Sequence, residues 1–273
     1  MIYRTEKRNS TIFLGRTNEN VMLDLQKASL MKRASAWLLD LILLATLACG
    51  FGLVLSSLLG YDAYIDTMSA CYEKYEQQYG VDFDITAEDF EKLPLEKQEL
   101  YRQAEESLNA DVEAARAYNM IINLSLLIVS VSVLLSYLSL EFLVPLIFGN
   151  GQTVGKKVFG IALMRIDCVK LSTLSLFVRT VLGKYTVETM IPLLILMMML
   201  LGTIGVVGPL VIFVLLVAQI AMLLITKTHS AIHDQMAATV AVDMSSQRIF
   251  ETPEALMAYK KELHAQHVKD QTY

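Results

Sequence analysis

Asp40 and Glu141 are acidic side chains inside runs of residues otherwise suited to lipid, and Gln219 is an amide in a third such run. Arg33, Arg179, His233 and Asp234 stand near the ends of these runs. A carboxylate at the middle of a membrane helix costs roughly 2.5–3.5 kcal/mol on insertion scales. A chain that keeps one there must supply an opposite charge, a water-filled cavity or a proton. Two kinds of chemistry fit such carboxylates: the handling of a proton or small cation, or the locking of helices by buried ion pairs.

Other constellations fit less well. His229 and His233 are four residues apart with Asp234 beside the second. On a helix both imidazoles would share a face, and a divalent metal is the weak alternative for that trio. No third ligand follows at convincing spacing, so no metal and no cofactor is expected. FGNGQTVGKK, Phe148 to Lys157, invites comparison with a phosphate-binding loop. Asn150 stands where the first glycine belongs, Lys157 where a Ser or Thr belongs, and an apolar helix rather than a strand precedes it. No nucleophile–base spacing stands out, and an enzyme is not expected.

The elements that must position these residues follow from hydropathy. The chain has 273 residues, 54% of them hydrophobic, too apolar for a soluble domain of that size. Ala34–Leu59 carries Asp40 as its one charge, Met120–Phe148 carries Glu141, and the 38 residues Thr189–Thr226 carry none. At about 1.5 Å per residue, the last stretch is nearly twice too long for one crossing of a roughly 30 Å hydrocarbon core. GTIGVVGP, Gly202–Pro209, supplies a turn in its middle.

The expected fold class is therefore an all-α membrane protein with four transmembrane helices. Its segments are a basic cytoplasmic start at 1–33, spans at 34–59, 120–148, 188–204 and 206–226, an acidic helical insertion at 60–119, a Gly-rich turn and amphipathic helix at 149–187, and a tail at 227–273.

Lysine and arginine set the orientation. Seven precede the first span, and residues 149–187 hold six against Asp167. Residues 60–119 hold five basic against fifteen acidic side chains. Both termini and 149–187 are expected in the cytoplasm, and the insertion outside. The net charge of −5 hides this split, and nucleic acid is excluded as a partner of the acidic face. The first apolar run is read as a permanent anchor in the plasma membrane rather than a cleaved signal. Cys49, Cys71 and Cys168 fall in three compartments and suggest no disulfide.

Local signals fill in the rest. TAED, Thr86–Asp89, is a capping box, and Pro94 suits the first turn of the next helix. Tyr61, Tyr64, Tyr72, Tyr75 and Tyr79 are read as packing and an aromatic belt. IALMRI is short enough to be extended. Ser172 can cap STLSLFVRTVLGKY, with Leu174, Phe177, Val178, Val181 and Leu182 on one side; a helix with that apolar side and with Arg179 and Lys184 would lie along the inner interface. Counted from the cytoplasmic ends, Asp40, Glu141 and Gln219 sit at one depth, roughly 10 Å inside the boundary, with Glu188 shallower. Pro145 and Pro192 flank that level and would free backbone carbonyls. Arg33 shares a face with Asp40 but leans toward the N-terminus, away from it. Asp40 must then find a partner in Arg179, His233 or backbone donors near the glycine-rich turn, or hold a proton.

These residues resemble the RDD family of bacterial membrane proteins. RASAWLLD matches its arginine before the first helix and aspartate within it, Arg33 and Asp40. GQTVGKKVFG matches a G-x-T-x-G-K-x-x-x-G stretch and Arg179 a later arginine, and HDQMAATVAV resembles an H-D-x-x-A-G-T-x-V block, with Asp234 as its aspartate. Ala238 replaces the usual glycine of that block. The similarity covers residues 30–243 in ordered blocks and implies the fold. At the level of activity it implies sodium–proton exchange for some members and a transporter or accessory role for others.

The function expected first is movement of a small cation or proton by Asp40 and Glu141, with Arg33, Arg179 and Asp234 organising the inner side, in a homo-oligomer within the bilayer. The rival is a non-transporting anchor or accessory subunit, whose buried charges lock helix packing and whose acidic insertion or cytoplasmic tail contacts a protein partner.

Overall fold

The computed structural model describes residues 26–226 and 230–271. In chain order its elements are α1 (Leu30–Leu58), α2 (Tyr61–Tyr79), α3 (Ala87–Glu91), α4 (Leu95–Ala110), α5 (Val112–Phe148), α6 (Val154–Val158), β1 (Ile161–Arg165), α7 (Thr173–Leu200), α8 (Val207–Ile225), α9 (Ile232–Met236), β2 (Thr239–Asp243) and α10 (Pro253–Gln271). The helices α1, α5, α7 and α8 are each long and apolar enough to cross a membrane. Of these, α1 and α8 are apolar nearly all round, the pattern of a helix solvated by lipid. Along α1 only Ala36 and Asp40 are buried in protein. The chain divides into two compact units, residues 44–136 and the remainder.

In the unit of residues 44–136, Cys71, Tyr75, Leu108 and Ala114 form a small core with Met68, Tyr79 and Phe83. The Thr86 hydroxyl accepts the Asp89 N–H at 3.2 Å and donates to the Asp89 carboxylate at 2.8 Å, so TAED does cap α3. Pro94 precedes α4. Tyr75 and Tyr79 combine packing with hydrogen bonds, to Asp111 and Ser107.

In the other unit the all-α expectation needs correction. β1 and β2 pair antiparallel, from Ile161 opposite Asp243 to Arg165 opposite Thr239. Residues 26–28 extend the sheet beyond β2, through Ala28 N–H to the Ala241 carbonyl and Asp243 N–H to the Gln26 carbonyl. One face packs Ala162, Met164, Val240 and Val242 on Cys168, Val169, Phe250 and Leu256. The other packs Ile161, Leu163 and Ala241 on Ala28 and Ala36. A strand buried on both faces is an unbroken apolar run without alternation, and VAV reads as helix as easily as strand.

The interfacial helix also needs correction. Ser172 does cap, accepting the Ser175 N–H at 3.1 Å, but the helix runs on to Leu200 and is the start of the third spanning helix. Its sides are divided as the apolar stripe has them, Leu174 being 72% exposed and Arg179 2% with Lys184 also buried, but the charged side meets buried carboxylates of the protein rather than water. From Val178 to Met190 the helix is π-helical.

Leu138–Leu143 of α5 is π-helical too and contains Glu141. Pro145 follows, and a proline ring displaces the carbonyl four residues back, which is that of Glu141. The freed carbonyl accepts the buried Thr180 hydroxyl at 3.0 Å.

Candidate functional site

Asp40 on α1 meets the start of α6. Thr153 precedes that helix, its hydroxyl oxygen accepting the Lys156 N–H at 3.3 Å. The hydroxyl proton goes to Asp40 Oδ2 at 2.5 Å, and the Gly155 N–H donates to Asp40 Oδ1 at 2.8 Å. Both carboxylate oxygens are thus engaged by one turn of chain, one by a side-chain hydroxyl and the other by a backbone N–H. Gly155 makes the approach possible: a Cβ there would lie 2.3 Å from the Ala36 carbonyl oxygen. Gly151, at φ +62°, lets the preceding turn close against Leu163. The G-x-T-x-G-K spacing therefore has a physical account. One glycine turns the chain, the threonine caps and donates, the second glycine gives clearance, and the lysine brings charge.

Lys156 Nζ donates to Thr153 Oγ1 at 3.1 Å and lies 3.7 Å from Asp40 Oδ2 and 4.0 Å from Glu141 Oε2. Burial pushes its ammonium down to about 8, against the pull of Glu141. Glu141 Oε1 accepts from Lys184 Nζ at 2.5 Å, and Oε2 is buried without a hydrogen-bond partner.

A second group is centred on Asp234 in α9. Its Oδ1 accepts Arg179 Nε at 3.0 Å, Arg179 Nη2 at 2.8 Å and the Thr239 hydroxyl at 3.1 Å. Arg33 Nη2 lies 3.8 Å from Oδ2. Burial opposes the charge of Asp234, but the Arg179 guanidinium outweighs it and holds the carboxyl well below the usual carboxylate range. Next to it, the His233 N–H donates to Glu188 Oε1 at 2.9 Å, and His233 Nδ1 lies 2.7 Å from Glu188 Oε2. Gly183 of α7 gives the clearance here, since a Cβ would come within 2.5 Å of His233 Cβ. Gln219 of α8 hydrogen-bonds Glu188.

The expected layer is therefore two linked groups. Asp40 and Glu141 share Lys156, while Arg33, Arg179, His233 and Asp234 gather around α9. Gln219 joins the second group through Glu188 rather than meeting Asp40 and Glu141. Of the partners considered for Asp40, the backbone donors by the glycine-rich turn are the ones that engage it. Arg179 instead takes Asp234, with Nε and Nη2 both on Oδ1, and His233 takes Glu188. Arg33 leans away from Asp40 as its place on α1 requires.

Thr153, Lys156, Thr180, Lys184 and Thr239 were not singled out as site residues by sequence. The first two lie inside the glycine-rich block, where a capping threonine was a readable signal. The described residues contain no group of three His, Cys, Asp or Glu arranged to hold a metal, and His229 lies outside them.

A model of the RDD family matches residues 27–238, most of the chain. No curated protein and no solved structure matches it.

Proposed function

We propose, from the premise that this chain belongs to the RDD family, that it is a non-transporting membrane scaffold whose buried ion pairs lock a soluble module onto its spanning helices. One observation carries the reading: both oxygens of Asp40 are taken by donors fixed around α6, with Lys156 alongside. A carboxylate that carries ions must exchange its ligands in each cycle, and these are backbone or backbone-fixed groups. Breaking a buried, satisfied charge pair is costly, whereas the pair itself contributes chiefly to specificity of packing.

The lysine and arginine distribution supports termini and residues 149–172 in the cytoplasm of a plasma-membrane protein, with residues 60–119 outside. Arg179 and Lys184 no longer count toward that bias, but Lys156, Lys157, Arg165 and Lys170 against Asp167 preserve its sign. The acidic insertion is then the surface offered to a protein partner, and a second copy of the chain is an alternative contact within the bilayer.

A second reading, movement of a small cation or proton, is favoured by Glu141. Its Oε2 lacks a hydrogen bond, and it sits in a π-helical turn, a feature that recurs at functional sites. Reconstituted vesicles separate the two. The scaffold predicts no cation-driven pH change from the native chain, and lower thermal stability for Asp40→Asn. A cation-driven pH change that Glu141→Gln or Asp40→Asn abolishes would replace the scaffold with the transporter.

A further inference from the structure

With His233 neutral, the buried cluster is balanced: Arg33, Lys156, Arg179 and Lys184 face Asp40, Glu141, Glu188 and Asp234. The imidazole is enclosed on both sides by carboxylates. Its Nδ1 donates to Glu188 on α7, and its Nε2 is 3.6 Å from Asp234 Oδ1 on its own helix. That oxygen is already committed to two Arg179 N–H groups and the Thr239 hydroxyl of β2. From α7, Arg179 and Lys184 both act against a positive charge at the ring. From α1, Arg33 acts on Asp234, and from α8 Gln219 acts on Glu188. Gly183 of α7 approaches the His233 backbone and Cβ closely enough that an added methyl would collide, so α9 is seated tightly on α7 at this residue.

A proton on Nε2 therefore adds a fifth cation to a balanced, nearly dry cluster. Among the described residues the acceptor facing it is Asp234 Oδ1, an oxygen that Arg179 and Thr239 already hold. We propose that His233 is an acid-sensitive latch on the scaffold: protonation loosens α9 from α7 and, through Asp234 and Thr239, unseats the start of β2. The proposal rests on the scaffold reading and supplies its regulation. Burial holds the imidazole below its ordinary value, against Asp234 and with the help of Arg179. A depressed histidine means that the folded state binds the proton less readily than the unfolded one. The latch is then fully closed above the ordinary imidazole range and opens as pH falls through it.

Hydrogen exchange of the full chain in lipid nanodiscs, corrected for intrinsic rates, tests this. Amides of residues 230–243 are expected to exchange severalfold faster at about pH 5.5 than at about pH 7.5. His233→Asn keeps an amide donor for Glu188 and cannot take a proton, and should flatten that dependence. Should the variant fail to fold, ¹³C-histidine NMR of the native chain serves instead, with one imidazole titrating over the same range as the exchange. No acid response in 230–243, a response that survives in His233→Asn, or exchange that moves while no imidazole titrates would each overturn the latch. None of these outcomes bears on ion flux in vesicles, so the scaffold and the latch fail separately.

Discussion

Asp111, in the unit of residues 44–136, holds three helices where α4 ends. Its Oδ1 accepts the Glu113 N–H at the start of α5, and its Oδ2 takes the Lys74 ammonium and Tyr75 hydroxyl of α2. Asp234 likewise gathers α1, α7 and β2 around α9. The geometry is similar and the surroundings are not. The Lys74 and Asp111 side chains are 57% and 13% exposed, against 2% and 3% for Arg179 and Asp234. In the first case water competes for every bond; in the second nothing replaces a partner once it is lost. One kind of clamp fine-tunes a turn, and the other decides whether the elements meet.

Breaking the buried clamp tests that contrast most strongly. Arg179→Ala is expected to cost about 3–5 kcal/mol by stranding Asp234, read as thermal unfolding in detergent. The double change Arg179→Leu with Asp234→Leu should recover much of the loss. A single-variant cost below about 1 kcal/mol would erase the distinction between the two aspartates.

Next in size is Gly155→Ala, which sets a methyl against the Ala36 carbonyl and should cost about 1–3 kcal/mol. Gly50→Ala, in open space on α1, should instead be neutral or gain up to about 1 kcal/mol. Ala238 sharpens the point, because it holds φ at +51° where the family pattern has glycine. The left-handed conformation is kept despite the side chain, so Ala238→Gly is expected to stabilise by about 1 kcal/mol in the same assay.

The smallest effect belongs to Asp111→Asn. Its loss should shrink further as salt is raised, which scanning in low and high salt would check. Hydrogen bonds from Lys74 and then Tyr75 hold the Asp111 carboxyl well below the usual carboxylate range. A depressed carboxyl contributes stability above its unfolded value and loses it as pH falls through the folded one. This clamp therefore stays intact through mild acid, whereas the His233 latch does not.

The contrast also explains what the sequence could reveal. Thr86 with Asp89, Ser172 and Pro94 were legible because a cap and the groups it satisfies lie within a few residues. The four spans were legible because hydropathy integrates over twenty residues, and the lean of Arg33 because it follows from helix geometry alone. β2 was hidden by burial on both faces. The burial of Arg179 and Lys184 was hidden because their partners, Asp234 and Glu141, lie 55 and 43 residues away. Asp40 was recognised as needing company, but its partner lies more than a hundred residues away, at a separation no local rule reaches. Thr153 and Gly155 carried readable signals as cap and clearance residues, without an address.

The β1–β2 pairing imposes an order on biogenesis. β1 leaves the ribosome before the two apolar helices that follow it, so its edge waits unpaired until both have entered the bilayer and residues 239–243 have emerged. Residues 26–28, made earlier still, wait for the same strand. A chain stopped after residue 226 would display an open apolar edge to its neighbours, the state in which aggregation begins and which proteases remove. β2 thus acts as a completion mark: a chain synthesised through it can hide the edge that β1 left exposed.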